Sequence, residues 1–98
     1  MAMLNEERKE ELITLTQRMI QIKSYSGEEK AVTEEMRRFC EKHSFTDVTT
    51  DRHGNCICRI KGSRPGKKLL FDGHMDTVPV PDPSKWSHDP FGAEIADG

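Results

Sequence analysis

The sequence lacks any long segment dominated by charge of one sign. Its 98 residues include 15 lysines and arginines and 17 aspartates and glutamates, which gives a formal net charge of −2. Because the two signs are interspersed, no basic stripe is available to follow a phosphate backbone. We therefore expect no nucleic-acid partner and no polybasic attachment to a membrane.

A long apolar run is also missing. The opening segment MAMLNEERKEEL contains no apolar signal-peptide region, and no run approaches the roughly 20 residues of a membrane-spanning helix. The three cysteines are an odd number, which favours reduced thiols over a disulfide framework. These absences predict a cytoplasmic protein without a membrane partner.

The apolar residues that are present follow helical spacing in the first part of the chain. Asn5 is a suitable N-cap residue, and two glutamates follow it where a helix dipole favours negative charge. The pattern predicts a first helix over about 6–23. The residues that carry the stripe are Leu12, Leu15, Met19 and Ile22.

A second helix is predicted from a capping motif followed by another apolar stripe. Ser26 and Glu29 match the S-x-x-E capping box, in which each side chain satisfies a backbone N–H of the other residue. We therefore expect this helix over about 27–42. Its stripe consists of Val32, Met36, Phe39 and Cys40.

The period changes from helical spacing to alternation after the second helix. Residues 45–51 and 55–61 read as two neighbouring strands around a turn, with Cys56 and Cys58 on one side of the second strand. The apolar run in 67–72 is typical of a strand buried on both faces. Two helices followed by strands of a mixed sheet indicate an α/β fold.

Four prolines characterise the segment 79–91, which we expect to be a surface loop. Trp86 and Phe91 lie within it, and burial of these two aromatic side chains would hold the loop in place. No internal repeat or low-complexity segment is present.

The chemistry-bearing motif is Gly73-His74-Met75-Asp76, directly after the third predicted strand. In an extended backbone residues i and i+2 point to the same side, so Asp76 can accept a hydrogen bond from one imidazole nitrogen of His74. The other nitrogen is then free to bind a metal ion. Taken alone the H-x-D pattern is weak, because a histidine at a strand end is more often a polar residue paired with a neighbour.

A longer stretch around this motif resembles a known family. The stretch Leu69-Leu70-Phe71-Asp72-Gly73-His74-Met75-Asp76-Thr77-Val78-Pro79, followed by Trp86, Asp89-Pro90-Phe91, Ile95 and Asp97-Gly98, is similar to the first metal motif of a family of zinc metallohydrolases. That family includes acetylornithine deacetylase, succinyl-diaminopimelate desuccinylase, aminoacylase and the zinc glutamate carboxypeptidases. The segments 24–29 and 51–55 look like further parts of the same family, and hydrolases linked to selenium metabolism look close.

The resemblance implies a role for two residues. His74 falls on the histidine that binds the first zinc ion, and Asp76 falls on the aspartate that orients it and is counted as a catalytic residue. Two zinc ions would occupy the intact site, with cobalt or manganese as possible replacements. The family's other ligands and its glutamate base would follow Gly98, and its lid and dimerisation domain is absent from residues 1–98.

The resemblance also implies a function. We expect the chain to be the N-terminal part of a zinc-exopeptidase-like catalytic domain. The intact enzyme would hydrolyse a small amide, such as an N-acyl amino acid or a dipeptide-like substrate, in a metal-dependent reaction. The 98 residues alone are predicted to be inactive, and the alternative is a truncated or decayed product with at most a structural or interaction role. The sequence does not determine the oligomeric state.

Other candidate metal ligands have simpler interpretations. A thiol-based zinc site formed by His53, Cys56 and Cys58, with Cys40 and His43 as further ligands, is a third hypothesis, but its spacing fits no standard zinc motif. Core packing of these cysteines is the better explanation. His43 suits the end of a helix, and His88 is expected to be a surface residue without an orienting partner.

Overall fold

The structure, a computed structural model, describes residues 3–98, so the first two residues of the predicted 1–98 unit lie outside it. Two helices come first, and a hairpin of two strands and one short 3₁₀ helix follow. The elements are α1 (Glu6–Gln21), α2 (Lys30–Lys42), β1 (Asp47–Thr50), β2 (Cys56–Arg59) and the 3₁₀ helix (Pro83–Lys85).

Helix α1 begins where the sequence predicted it. The Asn5 side chain accepts a hydrogen bond from the backbone N–H of Arg8 at 2.9 Å, which satisfies one of the free N–H groups of the first turn. The helix ends at Gln21, two residues before the predicted boundary. Leu15 is its buried residue, and it lines the groove between the two helices together with Phe39 of α2.

Helix α2 begins later than predicted, and the capping box does not form. The N-cap residue is Glu29, and its side chain makes no capping hydrogen bond. Gly27 has φ of +89°, a left-handed conformation that a helix does not contain. Its N–H donates to the Glu29 carboxylate at 2.8 Å, whereas the Ser26 hydroxyl donates to Asp76. The prediction of a helix over 27–42 is therefore wrong in its first three residues.

The predicted strands over 45–51 and 55–61 form an antiparallel hairpin with shorter limits. Asp47 pairs with Arg59 and Thr50 with Cys56. The connection contains Gly54 in the left-handed region, with φ of +86°, as the turn prediction requires. Asp51 organises this turn, because its carboxylate accepts hydrogen bonds from the backbone N–H groups of His53 and Asn55 and from the Asn55 amide.

The core lies where α2 packs against both strands and against α1. Val32 is 1% exposed, Thr33 and Cys40 are also buried, and all three belong to the inner face of α2. The Thr33 hydroxyl donates to the backbone carbonyl of Gly54 at 3.4 Å, which satisfies a buried polar group and connects the helix to the turn. Within residues 3–98, a helix thus covers one face of the hairpin.

The third strand, predicted over 67–72, is not formed in the described residues. A strand buried on both faces needs neighbouring strands to pair its backbone and other elements to cover its side chains. No strand of residues 3–98 lies beside this segment. Leu69, Leu70 and Phe71 are consequently 84%, 91% and 90% exposed. The described sheet is therefore antiparallel rather than mixed, and the structure is an α/β fragment with two helices and one hairpin.

The proline-rich segment 79–91 is a loop, as predicted, and only one of its two aromatic side chains holds it in place. Trp86 is 57% exposed, so its predicted burial is wrong. Phe91 is half-buried, and the Lys23 ammonium lies 5.0 Å from the centre of its ring. The following turn attaches to α1, because the Gln17 amide donates to the carbonyl of the buried Ala93 at 3.0 Å.

Among residues 3–98, no helix combines the length and the apolar character that crossing a membrane requires.

Two leucines on α1 provide a matched test of this core. Replacing the buried Leu15 with alanine should lower the free energy of unfolding by about 2 to 4 kcal/mol, because the space it leaves is only partly refilled. The same change at Leu12, which is 53% exposed, should cost less than about 1 kcal/mol. Urea unfolding followed by circular dichroism measures both. Equal losses would contradict the packing described here.

The hairpin turn should depend on pH through Asp51. Hydrogen bonds from Asn55 hold the pKa of the Asp51 carboxyl below its usual value. Ionised Asp51 therefore stabilises the turn at neutral pH, and this stabilisation is lost as the pH falls through the lowered pKa. Amide chemical shifts of the turn, followed from about pH 6 to pH 2, should report the loss.

The Asp51→Asn variant should remove this pH dependence while keeping the side-chain volume. Asp47→Asn is the matched control, since among residues 3–98 the Asp47 side chain forms just an exposed ion pair with Arg59 at 3.4 Å. A turn in Asp51→Asn that still opens with the wild-type pH profile would exclude Asp51 as its cause.

Candidate functional site

The segment with the H-x-D motif is held in place by the loop between the two helices. Thr77 forms an isolated parallel β-bridge with Tyr25, and the Thr77 N–H donates to the Ser24 carbonyl at 2.8 Å. Ser24 is 1% exposed, and its hydroxyl lies 3.3 Å from the hydroxyl of Thr77. This pairing of residues 24–25 with Thr77, called here the loop clasp, fixes the backbone directly after the motif.

His74 and Asp76 lie side by side, as their spacing predicted. The Nδ1 atom of His74 is 3.1 Å from the Asp76 carboxylate oxygen Oδ1 and 2.9 Å from the Asp76 backbone carbonyl. Both neighbours only accept hydrogen bonds, so Nδ1 carries the proton in this arrangement. The second ring nitrogen, Nε2, is then left with a lone pair that a metal ion can bind. The His74 side chain is 86% exposed, so this nitrogen is accessible.

Ser26 also belongs to the site, whereas the sequence predicted that it would cap helix α2. Its hydroxyl donates to the second carboxylate oxygen of Asp76, Oδ2, at 2.6 Å, a distance typical of a hydroxyl bonded to an ionised carboxylate. The hydrogen bonds from Ser26 and from His74 hold the pKa of the Asp76 carboxyl below its usual value. In the sequence, the membership of Ser26 in this site was indicated only by the resemblance of segment 24–29 to the family.

The site contains one candidate metal ligand and its orienting carboxylate. Among residues 3–98, no three side chains of histidine, cysteine, aspartate or glutamate converge to hold a metal ion. A catalytic zinc ion takes about three protein ligands and a water molecule. The described residues can therefore contribute to a zinc site, and further ligands are needed to complete one.

The thiols lie apart from this site, on the face of the hairpin that α2 covers. The sulfur atoms of Cys56 and Cys58 are 3.6 Å apart, and Cys40 is buried on the facing helix. Burial raises the pKa of the Cys56 thiol to about 11 and also raises that of Cys58. A thiol that resists ionisation is a poor zinc ligand, so this environment favours packing over metal binding.

Two other histidines, His88 and His43, contact residues outside this site. The Nδ1 atom of His88 lies 3.3 Å from a carboxylate oxygen of Glu94, so His88 has a carboxylate neighbour that the sequence analysis did not expect. Both side chains are more than half exposed, which fits the predicted surface location. His43 follows the last turn of α2, and its ring packs against Phe39 with the ring centres 4.3 Å apart.

The candidate site is thus an accessible imidazole beside a carboxylate on an α/β fragment, an arrangement in which a histidine can serve as a metal ligand. Comparison with curated proteins shows which proteins this chain is similar to. A succinyl-diaminopimelate desuccinylase 2 of Ruegeria sp. (strain TM1040) is 34% identical over 88 residues, which cover 88% of this chain and 22% of the relative. A succinyl-diaminopimelate desuccinylase of Cereibacter sphaeroides (strain ATCC 17029) is also 34% identical over 88 residues. One of Rhodospirillum centenum is 36% identical over 69 residues.

The predicted resemblance is thereby confirmed: over most of its length, this chain is similar to succinyl-diaminopimelate desuccinylases. These relatives are named as desuccinylases of succinyl-diaminopimelate. The chain spans less than a quarter of the length of these relatives. No protein-family model matches the sequence, and no solved structure matches the chain.

The environment of Cys56 leads to a measurable expectation. With a raised pKa, Cys56 holds less thiolate at about pH 8, so its alkylation by iodoacetamide should be more than about tenfold slower than in the unfolded chain. Mass spectrometry of the labelled peptides gives the rate at each cysteine, and the same chain in urea is the control. Labelling of Cys56 at the unfolded rate would exclude the packed environment.

Proposed function

We propose that this chain supplies the first metal-binding element of a metal-dependent amide hydrolase, with His74 as a metal ligand and Asp76 as the catalytic-site residue that orients it. The observation that carries the proposal is the placement of His74 Nδ1 against Asp76, which leaves Nε2 accessible. Similarity to desuccinylases over 88 residues supports the reaction class.

His74 and Asp76 suit a zinc ion, as one ligand and the carboxylate that orients it. Zinc takes neutral imidazole nitrogens, and a carboxylate behind the ring fixes its orientation and raises its basicity. The exposed position of His74 leaves room for ligands from other residues around the same ion. We propose zinc, two ions in the complete site, with cobalt or manganese as replacements that mixed nitrogen and carboxylate sites accept.

Such metal ions, when bound, polarise an amide carbonyl and lower the pKa of a bound water molecule. The residues of this chain orient and position His74 for metal binding. Asp76 accepts the hydrogen bond from Nδ1–H of His74 and so keeps the proton off Nε2. The loop clasp keeps the backbone of the motif in place, and the exposed surface around His74 leaves the ring open to a substrate.

The proposed substrate is a small amide, such as an N-acyl amino acid or a dipeptide-like molecule. The relatives are named for the removal of a succinyl group, which is one acyl group of this class. The balanced surface charge supports a small-molecule substrate over a nucleic acid or a membrane. We place the protein in the cytoplasm, where its three free cysteines would remain reduced.

A second candidate is a product without catalysis of its own, with a structural or interaction role. The observation in its favour is that no three metal-ligating side chains converge among residues 3–98. The two candidates differ in whether the ligands that complete the site are supplied by further sequence or by another chain. The described residues on their own are proposed to be inactive.

The first experiment is to read the coding sequence after Gly98 for further metal ligands and to express the whole product. We expect hydrolysis of N-succinyl or N-acetyl amino acids that is lost with a chelator and restored by zinc, cobalt or manganese. His74→Ala should lower turnover at least about a hundredfold, and Asp76→Ala about 10- to 100-fold.

His88→Ala is the matched control, because His88 is also an exposed histidine whose Nδ1 faces a carboxylate. It should leave turnover unchanged. Turnover that survives His74→Ala, or that needs no metal, would overturn the proposed hydrolase site. An inactive full-length product without further ligands would favour the second candidate.

A further inference from the structure

Both oxygens of the Asp76 carboxylate are engaged, each by a different part of the chain. Oδ1 lies 3.1 Å from the His74 ring nitrogen, and Oδ2 accepts the hydrogen bond from the Ser26 hydroxyl at 2.6 Å. A carboxylate that is bonded at both oxygens cannot rotate without losing one of these bonds. The orientation of Asp76 towards His74 is thus coupled to Ser26, 50 residues earlier in the sequence.

The backbone next to Ser26 is fixed independently of this hydrogen bond. Ser24 is buried and accepts the N–H of Thr77, and Tyr25 forms the parallel bridge with the same residue. These contacts place residue 26 beside residue 76 whatever its side chain is. A change at Ser26, which is itself exposed, should therefore alter the hydroxyl contact without removing the loop clasp.

Helix α2 shows that Ser26 is not used where local sequence would use it. The S-x-x-E motif would normally let this serine cap the helix and stabilise its first turn. Instead, the N-cap is Glu29 without a side-chain capping bond, and the serine hydroxyl is directed to Asp76. Helix α2 thus lacks a stabilising cap, while the Ser26 hydroxyl contacts the candidate site. Such departures from local rules are typical of functional positions.

We propose that Ser26 is a positioning residue, whose hydroxyl fixes the Asp76 carboxylate so that His74 keeps its proton on Nδ1 and presents Nε2 to a metal ion. The part of this inference that concerns the metal ion rests on the proposed function. The hydrogen-bond relay from Ser26 through Asp76 to His74 is a property of this chain alone. It can be measured without metal and without substrate.

The test is the tautomer of His74 in the full 98-residue chain. Two-bond ¹H–¹⁵N correlation spectra show which ring nitrogen carries the proton, and a His74→Gln variant assigns this ring among the four histidines. At about pH 8.5, where imidazoles are ordinarily neutral, the wild type should hold the proton on Nδ1. In Ser26→Ala the ratio of the Nδ1–H to the Nε2–H tautomer should fall by about threefold, within the range of one net hydrogen bond.

Two further variants separate the hydroxyl from general structure. Ser26→Thr keeps the hydroxyl and should keep the wild-type ratio. Ser84→Ala removes another hydroxyl that donates to a carboxylate, that of Asp82 at 2.5 Å, and should also leave His74 unchanged. Should Ser26→Ala fail to fold, Ser26→Cys offers a side chain of similar shape with a weak donor, and the same fall is expected.

An unchanged tautomer ratio in Ser26→Ala would overturn the inference, as would an equal fall in Ser26→Thr, which would show that packing and not the hydroxyl is responsible. Failure of the whole product to hydrolyse amides would overturn the proposed function and leave this measurement intact. Conversely, metal-dependent hydrolysis by the whole product together with an unchanged His74 tautomer ratio in Ser26→Ala would support the proposed function and exclude Ser26 as a positioning residue.

Discussion

The parallel bridge between Tyr25 and Thr77 is the contact on which the candidate site depends. Each partner belongs to a segment without regular structure of its own, and the whole of α2 and both strands of the hairpin lie between them in the sequence. Ser24 adds a buried hydrogen bond to Thr77, where an unsatisfied backbone group would be costly. Without the loop clasp, the Asp76 carboxylate would contact only His74, two residues earlier in the sequence.

The same clasp explains why local rules fail at the start of α2. A helix over 27–42 would place Ser26 at its cap and Gly27 in helical conformation. The turn that brings residues 24–26 to Thr77 instead requires Gly27 at φ of +89° and moves the helix start to Lys30. A tertiary contact has overridden a local preference, and it has done so next to the residues of the candidate site.

Those parts of the fold that rest on local periodicity could be predicted from sequence. Helix α1, its Asn5 cap and the hairpin depend on spacing and turn chemistry within a few residues, and so does the contact between His74 and Asp76. The parts that depend on distant partners could not. Ser26 finds its acceptor 50 residues away, and Trp86 stays exposed because no described element covers it.

The uncovered run Leu69-Leu70-Phe71 has a consequence for the behaviour of the chain in solution. A short, β-prone apolar run with an unpaired backbone can pair with its copy on another molecule, which is the first step of aggregation. Charges bracket the run, with Lys67 and Lys68 before it and Asp72 after it. Such flanking residues act as gatekeepers, because stacking identical segments in register would bring like charges together. The colloidal stability of these 98 residues therefore depends on salt, which screens that repulsion.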